Sequence, residues 1–196
     1  MKMQPSRQHG FNIIELMITV FVMAILAAIA VPNFRNVIQR GDVSAASNAL
    51  LADLAYARGE AVTRGTVVSI CPSTDGQSCV DSSAAYGSGW IVYTYTAGKA
   101  VANTKYSSVA SDGNLLLRYT TARPNASVTA SSTSVLSVGQ QGQLLPAGTT
   151  LTFTTCFQQN ASSTPVNTMA VPGAVLNVSA TGSVVNKSLA SGGSCT

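Results

Sequence analysis

Formal charge is scarce in this sequence of 196 residues. Only 9 % of the residues are charged, against roughly 25 % in an ordinary soluble domain, and residues 124–186 contain no Asp, Glu, Lys or Arg at all. A surface so poor in charge suits a globular domain that packs against other protein subunits. It also suits a Ser- and Thr-rich exported sheet with nothing attached.

Histidine is nearly absent, because His9 is the only one. A nucleophile–histidine catalytic arrangement is therefore excluded from the rest of the chain. No phosphate-binding loop or dinucleotide-binding glycine motif occurs, and the seven acidic residues are scattered. Paired-carboxylate catalysis, for example by Asp75 and Asp81, is the one alternative left open. The sequence predicts a protein that is not an enzyme and that needs no cofactor.

Cysteine is rare but even in number, with Cys71, Cys79, Cys156 and Cys195. An even number in an exported domain indicates two disulfides. Cys71–Cys79 and Cys156–Cys195 are the natural pairs by position, although four cysteines allow three connectivities. Four buried free thiols are a second interpretation. A zinc site is disfavoured, because there is no C-x-x-C motif and no histidine beyond residue 9.

One long apolar run is present near the N-terminus. Residues 11–31 read FNIIELMITVFVMAILAAIAV and follow a more polar segment of ten residues that includes Lys2 and Arg7. A helix of this length spans about 30 Å, enough to cross a bilayer. The preceding basic residues predict a cytoplasmic N-terminus and an exported C-terminal part. An ordinary secretory signal cut after the Ala28-Ile29-Ala30 triplet, or an uncut signal anchor, would have similar composition.

Glu15 distinguishes these interpretations. A carboxylate in the middle of a membrane helix costs about 2.5–3.5 kcal/mol on insertion scales, and neither a secretory signal nor a plain anchor requires one. Such a residue is expected to be functional and to have a partner.

The segment GFNIIELMITVFVMAILAAIAVPNF resembles the leader of type IV pilins and pseudopilins. Asn12 replaces the usual Thr, and the next residue is Ile in place of Leu. The resemblance implies that a prepilin peptidase cuts between Gly10 and Phe11 and methylates the new amine. Glu15 would then lie one helical turn from that amine and could neutralise it within a subunit or between neighbours. Pro32 matches a proline that often follows the apolar run, and should kink or loosen the helix there.

A second helical pattern covers residues 33–63. Apolar residues recur at spacings of three and four and form one stripe, expected to lie against a sheet: Val43, Ala46, Leu50, Leu54, Ala57 and Ala61. Gly65 is the predicted stop. The charged residues of this segment are expected mainly off the stripe, on a solvated face: Arg40, Asp42, Asp53, Arg58, Glu60 and Arg64.

The remaining chain, residues 66–196, is predicted to be β-rich, because short β-branched or aromatic runs alternate with separators rich in Gly, Pro, Ser and Asn. The candidate strands are 66–71, 90–96, 115–120, 135–138, 150–157, 174–179 and 183–186. Trp90 is expected in the core.

The stretch YARGEAVTRGTVVSICPSTDGQSC, followed by SGWIVYTY, resembles the FimT/FimU–GspH family of minor pilins and pseudopilins. The combined resemblance covers residues 10–95. It implies an α+β, type IV pilin-like fold, in which a long N-terminal α-helix packs on an antiparallel β-sheet head. The implied parts are a leader (1–10), a transmembrane and filament-core half-helix (11–32) and a globular head (33–196).

The function implied is assembly: a minor pilin that initiates or caps a type IV pilus. The expected partners are other major and minor pilins, the prepilin peptidase and the inner membrane, with the head in the periplasm before assembly into the pilus. A type II secretion pseudopilin and a DNA-capturing minor pilin are the alternatives. DNA binding would need a basic cluster, and the candidate residues are Lys99, Lys105, Arg118, Arg123 and Lys187. Removal of the leader lowers the net charge to +2, which weakens that alternative.

Overall fold

The computed structural model describes residues 12–95, 102–108, 113–132 and 135–195. The chain divides into two compact units, Met1–Val37 and Ile38–Thr196. Helix α1 (Ile13–Arg64) contributes to both.

Helix α1 begins and ends where local chemistry predicts. The main-chain carbonyl of Asn12 accepts the N–H groups of Glu15 and Leu16, at 3.0 and 3.1 Å, and so closes the first turn. At the other end Gly65 takes a positive φ of 61°, and a left-handed residue here terminates the helix. The predicted stop is confirmed.

The β-rich part contains nine strands within the described residues and one short 3₁₀-helix, Ser83–Ser88. The strands are β1 (Val68–Pro72), β2 (Gly89–Tyr95), β3 (Asn114–Thr121), β4 (Ala126–Ala130), β5 (Leu136–Val138), β6 (Leu144–Leu145), β7 (Leu151–Phe157), β8 (Ala174–Val178) and β9 (Val184–Ser188). Seven of them match the predicted strands within two residues at each end; β4 and β6 were not predicted.

The strands form two antiparallel sheets. The first has the order β3-β2-β1-β5-β6 and the second the order β4-β7-β8-β9. Both contribute to one core with the apolar stripe of the second half of α1, including Leu50, Leu54 and Ala57. The predicted α+β fold, with a long N-terminal helix packed on antiparallel sheets, is confirmed.

The central strands of the first sheet, β1, β2 and β5, are buried on both faces. Along β2, Trp90 and Val92 enter the main core, whereas Ile91, Tyr93 and Tyr95 enter a second, smaller core. This alternation explains why every residue of β2 is buried. It also confirms that Trp90 is a core residue, since it is fully buried.

Candidate assembly site

The predicted processing site, Gly10 and Phe11, lies outside the described residues. The described chain begins next to it at Asn12, whose side-chain oxygen accepts the N–H of Ile14 at 3.4 Å. Asn12 therefore caps the N-terminus of α1, a position where Asn is favoured. The sequence-predicted cut falls two residues before this cap.

Glu15 lies in the first turn of α1 and is exposed. A negative charge is favourable there, because the first turn carries the positive end of the helix dipole. Its carboxylate makes no hydrogen bond or ion pair with any residue that the structure describes. The carboxylate is thus free to bind a group outside the described chain.

The apolar half of α1 presents a nearly continuous hydrophobic surface. Exposure is 79 % for Ile13, 67 % for Phe21 and 61 % for Ile29. The helix contains a segment long and apolar enough to cross a membrane. So large an exposed apolar surface marks a membrane or protein contact.

Pro32 does not end the helix, because α1 continues through it to Arg64. A proline in a helix interior removes one backbone donor. The structure divides into its two compact units five residues later, between Val37 and Ile38.

Asp53 is a correction to the sequence prediction. It was expected on the solvated face of α1, but it is buried, with 3 % exposure. Its carboxylate accepts hydrogen bonds from Trp90 Nε1 at 2.8 Å, Thr120 Oγ1 at 2.6 Å and Arg118 Nη1 at 2.7 Å. The three donors come from β2 and β3, so Asp53 fastens the helix to the first sheet.

Arg118 completes this buried polar site. Its guanidinium lies 4.0 Å from the ring centre of Tyr56, which is on the same helix as Asp53. The hydrogen bond to Asp53 raises the pKa of Arg118 and so favours the charged guanidinium. Nearly half of the Arg118 side chain remains exposed. The stacking is a cation–π contact that adds a second link between helix and sheet.

Two disulfides lie in the head, Cys71–Cys79 and Cys156–Cys195, and the described chain has no free cysteine. Cys71–Cys79 closes the turn that carries Asp75 and Gly76. Cys156–Cys195 ties the C-terminal segment to β7. The two pairs that looked natural from the sequence are the ones present.

Asp75 and Asp81, the candidate carboxylate pair, have separate structural contacts. Asp75 accepts the main-chain N–H groups of Gln77 and Ser78 at 2.8 and 3.1 Å. The hydrogen bond from Gln77 is the main cause that lowers the pKa of Asp75. Asp81 forms an ion pair with Lys105 at 2.8 Å. Neither contact is typical of a general acid–base pair.

Two of the five candidate DNA-binding cations are paired with acidic side chains. Arg118 and Lys105 are paired with Asp53 and Asp81. Lys99 lies outside the described residues, and Lys187 is on the exposed strand β9. Only Arg123 lines a groove. In the described part of the chain, no group of three or more His, Cys, Asp or Glu residues could hold a metal ion.

Two family models match this sequence. The model described as "Type II transport protein GspH" matches residues 46–182, and the model described as "Prokaryotic N-terminal methylation motif" matches residues 5–31. The first covers most of the head, and the second covers residues 5–10 of the predicted leader, the predicted cut site and the apolar run.

Curated relatives match over a short segment. The type IV major fimbrial protein FimA of Dichelobacter nodosus is 56 % identical over 39 residues, which is 20 % of this chain and 25 % of that protein. The chain therefore spans about a quarter of the length of the curated relatives it matches.

Solved structures with a similar fold include the type IV minor pilin FimU of Pseudomonas aeruginosa, crystallised in two forms. One form has a TM-score of 0.53 at 23 % identity and covers 78 % of this chain and 96 % of that one. The other has a TM-score of 0.50 at 24 % identity and covers 76 % and 98 %. At these identities the likeness establishes the fold.

Proposed function

This chain belongs to the GspH family, and on that premise we propose that it is a minor pilin that joins a type IV pilus and helps to initiate or cap its assembly. The family is one of type IV minor pilins and pseudopilins, which are structural proteins and not enzymes. The function proposed for such a protein is therefore assembly and not catalysis.

The exposed Glu15 carries the proposal. It stands without a partner among the described residues, in the first turn of a helix whose apolar surface is uncovered. An unpartnered carboxylate in an apolar surface is costly, so it is expected to be retained for a contact made elsewhere.

The contact we propose is with the amine created by processing. A prepilin peptidase cuts after Gly10 and methylates Phe11, within the segment matched by the methylation motif. The Phe11 amine and Glu15 then attract each other, within a subunit or between neighbours. In the second arrangement the pair aligns an incoming subunit along the filament axis.

Before assembly the protein spans the inner membrane once, with its head in the periplasm. The basic residues Lys2 and Arg7 precede the apolar run, which favours retention of that end in the cytoplasm. Residues 11–32 would afterwards lie in the filament core and residues 33–196 would form the head.

Intact mass and N-terminal sequencing of the protein purified from membranes test the processing step. We expect a chain that begins at methylated Phe11. A chain that begins at Val31 would instead identify an ordinary secreted domain, and an uncut chain would identify a plain signal anchor.

A type II secretion pseudopilin is the second candidate, favoured by the description of the matching family. Deletion of the gene separates the two. Loss of surface pili with normal protein secretion is expected for a minor pilin, and the reverse for a pseudopilin. DNA capture has less support, because two of its candidate cations already have acidic partners.

A further inference from the structure

A groove of about 660 Å³ opens on the head beside the first residues of strand β4. It lies wholly within the compact unit that begins at Ile38. Ser127 and Thr129 of β4 line it, together with the segment that precedes β4 and the segment that follows β7. These two segments meet because Ala126 of β4 pairs with Phe157 of β7.

The segment after β7, which forms one wall of the groove, is held by its own hydrogen bonds. The side-chain amide of Gln158 donates to the carbonyls of Ser163 at 2.7 Å and Ala161 at 3.3 Å. The N–H of Val166 donates to the carbonyl of Phe157 at 2.8 Å and so closes the segment on itself. The wall therefore has its shape before any partner binds, and a pre-organised site loses little conformational entropy on binding.

Arg123 is the only charged residue that lines this groove. Its Nε is buried and has no hydrogen-bond partner, and its side chain forms no ion pair with any described residue. A buried donor without a partner costs free energy, and a guanidinium does not lose its proton in a protein. The groove therefore contains a permanent positive charge whose hydrogen-bonding capacity is unused.

The surroundings of Arg123 do not balance this charge. No acidic residue lines the groove, and most of the lining residues belong to the charge-free stretch 124–186. Asp42 contacts one lining residue, because the side-chain amide of Asn125 donates to its carboxylate at 3.2 Å. Asp42 nevertheless forms no ion pair with Arg123. The groove is thus suited to one anionic group from outside the described chain.

We propose that the groove receives an acidic side chain of another filament subunit, whose carboxylate binds the guanidinium of Arg123. The inference rests on the proposed role in pilus assembly. A guanidinium binds a carboxylate through two parallel hydrogen bonds, and the centres of protein interfaces are enriched in Arg but depleted of other charged residues. Gln159 also lines the groove, and its exposed side-chain amide can bind the main chain beside that carboxylate.

The first measurement is the amount of this protein in pili sheared from cells, relative to its amount in the membranes. Arg123→Gln should lower this ratio about tenfold, which corresponds to the loss of one charge-assisted hydrogen bond, and Arg123→Lys should keep most of it. Arg64→Gln is the matched control, since Arg64 pairs with Glu60 at the end of α1, and it should be incorporated normally. Urea titration of each processed variant in detergent separates a lost contact from a destabilised head.

The second measurement identifies the carboxylate. Pili that contain the Arg123→Lys variant are treated with a water-soluble carbodiimide, which joins a lysine amine to a carboxylate in contact with it, and mass spectrometry identifies the cross-linked peptides. We expect an amide between position 123 and an Asp or Glu of another pilin subunit. The pair Lys105 and Asp81, 2.8 Å apart within this chain, is the internal positive control. If Arg123→Gln destabilises the head, this cross-link alone decides.

Several results would overturn the proposal. Normal incorporation of Arg123→Gln would do so, as would a cross-link from position 123 to Asp42, or no cross-link there while Lys105 and Asp81 are joined. Saturable binding of inorganic phosphate by the full processed chain in detergent, lost in Arg123→Gln and without a cross-link in pili, would indicate a site for a free anion instead. Absence of the wild-type protein from pili would contradict the proposed function itself, which the other outcomes leave intact.

Discussion

Two acidic residues on the same helix have opposite surroundings. Glu15 is exposed in an apolar surface and has no partner within the described residues, whereas Asp53 is buried and accepts three hydrogen bonds. Asp53 therefore serves the fold of the head, where its partners are permanent. The Glu15 carboxylate contacts no described residue of the head, and the partner proposed for it exists only after processing or in the filament.

Under the proposed function, this contrast divides helix α1 into a half for assembly and a half for folding. Changes in the head should alter stability, and changes near Glu15 should alter incorporation into filaments.

Removal of the disulfide Cys156–Cys195 should have the largest effect on stability. The bond joins residues 39 apart in sequence, and closure of such a loop contributes about 4 kcal/mol in the chain-entropy model. Cys156→Ser with Cys195→Ser should lower the free energy of unfolding by about that amount in urea titrations of the processed chain in detergent. The pair Cys71→Ser with Cys79→Ser, which opens a shorter loop, should cost less, and the reverse order would contradict this account.

Asp53→Ala should destabilise the head by about 3 kcal/mol, because it leaves Trp90 Nε1 without its buried acceptor and Arg118 without its ion-pair partner. Urea titration of the same preparation measures the loss. Asp53→Asn, which keeps an acceptor oxygen, is the matched variant and should lose less. If Asp53→Ala leaves the free energy of unfolding unchanged, the polar site does not hold the helix to the sheet.

Gly59→Ala should raise the free energy of unfolding by about 1 kcal/mol. Gly59 is exposed in the middle of α1, and a Cβ there would meet no atom within 4 Å, so only the helix propensity changes. Thermal unfolding measures the gain. A Gly59→Ala variant that folds stably but no longer enters pili would contradict the division of α1, because this part of the helix would then also be an assembly surface.

Asp75 should make the stability of the folded protein depend slightly on pH. Its pKa lies below the ordinary value of 3.8 because the folded turn donates main-chain N–H groups to the carboxylate. The folded state then binds fewer protons than the unfolded state, so this stability is present above about pH 4 and is lost as the pH falls through the folded pKa. Asp75→Asn should flatten stability-against-pH curves in that acidic range. An unchanged curve would show that the turn does not favour the ionised form.

The sequence revealed Glu15 and concealed Asp53 for physical reasons. A carboxylate is conspicuous among apolar residues, so Glu15 could be singled out without a structure. Asp53 stands among Ala, Leu and Arg on a helix that also has a solvated face, and its partners Trp90, Arg118 and Thr120 are brought together only by pairing of β2 with β3.

The strands also show that local sequence pattern does not reveal features that depend on long-range pairing. Seven of them carry β-branched or aromatic residues that local pattern detects. Strand β4, ASVTA, lies among Asn and Ser residues typical of a loop, and it is held by pairing with β7. Strand β6 has only two residues, too short for any periodicity. Local pattern therefore located the long helix and seven of the strands, whereas long-range pairing decided the other two.

Incorporation of Glu15 variants into filaments tests the division most directly. Pili sheared from cells that express Glu15→Ala or Glu15→Gln should contain at least tenfold less of this protein, while urea titration gives an unchanged free energy of unfolding of the head. Glu60→Gln, which removes another acid of the same helix, is the control and should be incorporated normally. Normal incorporation of both Glu15 variants would contradict the account.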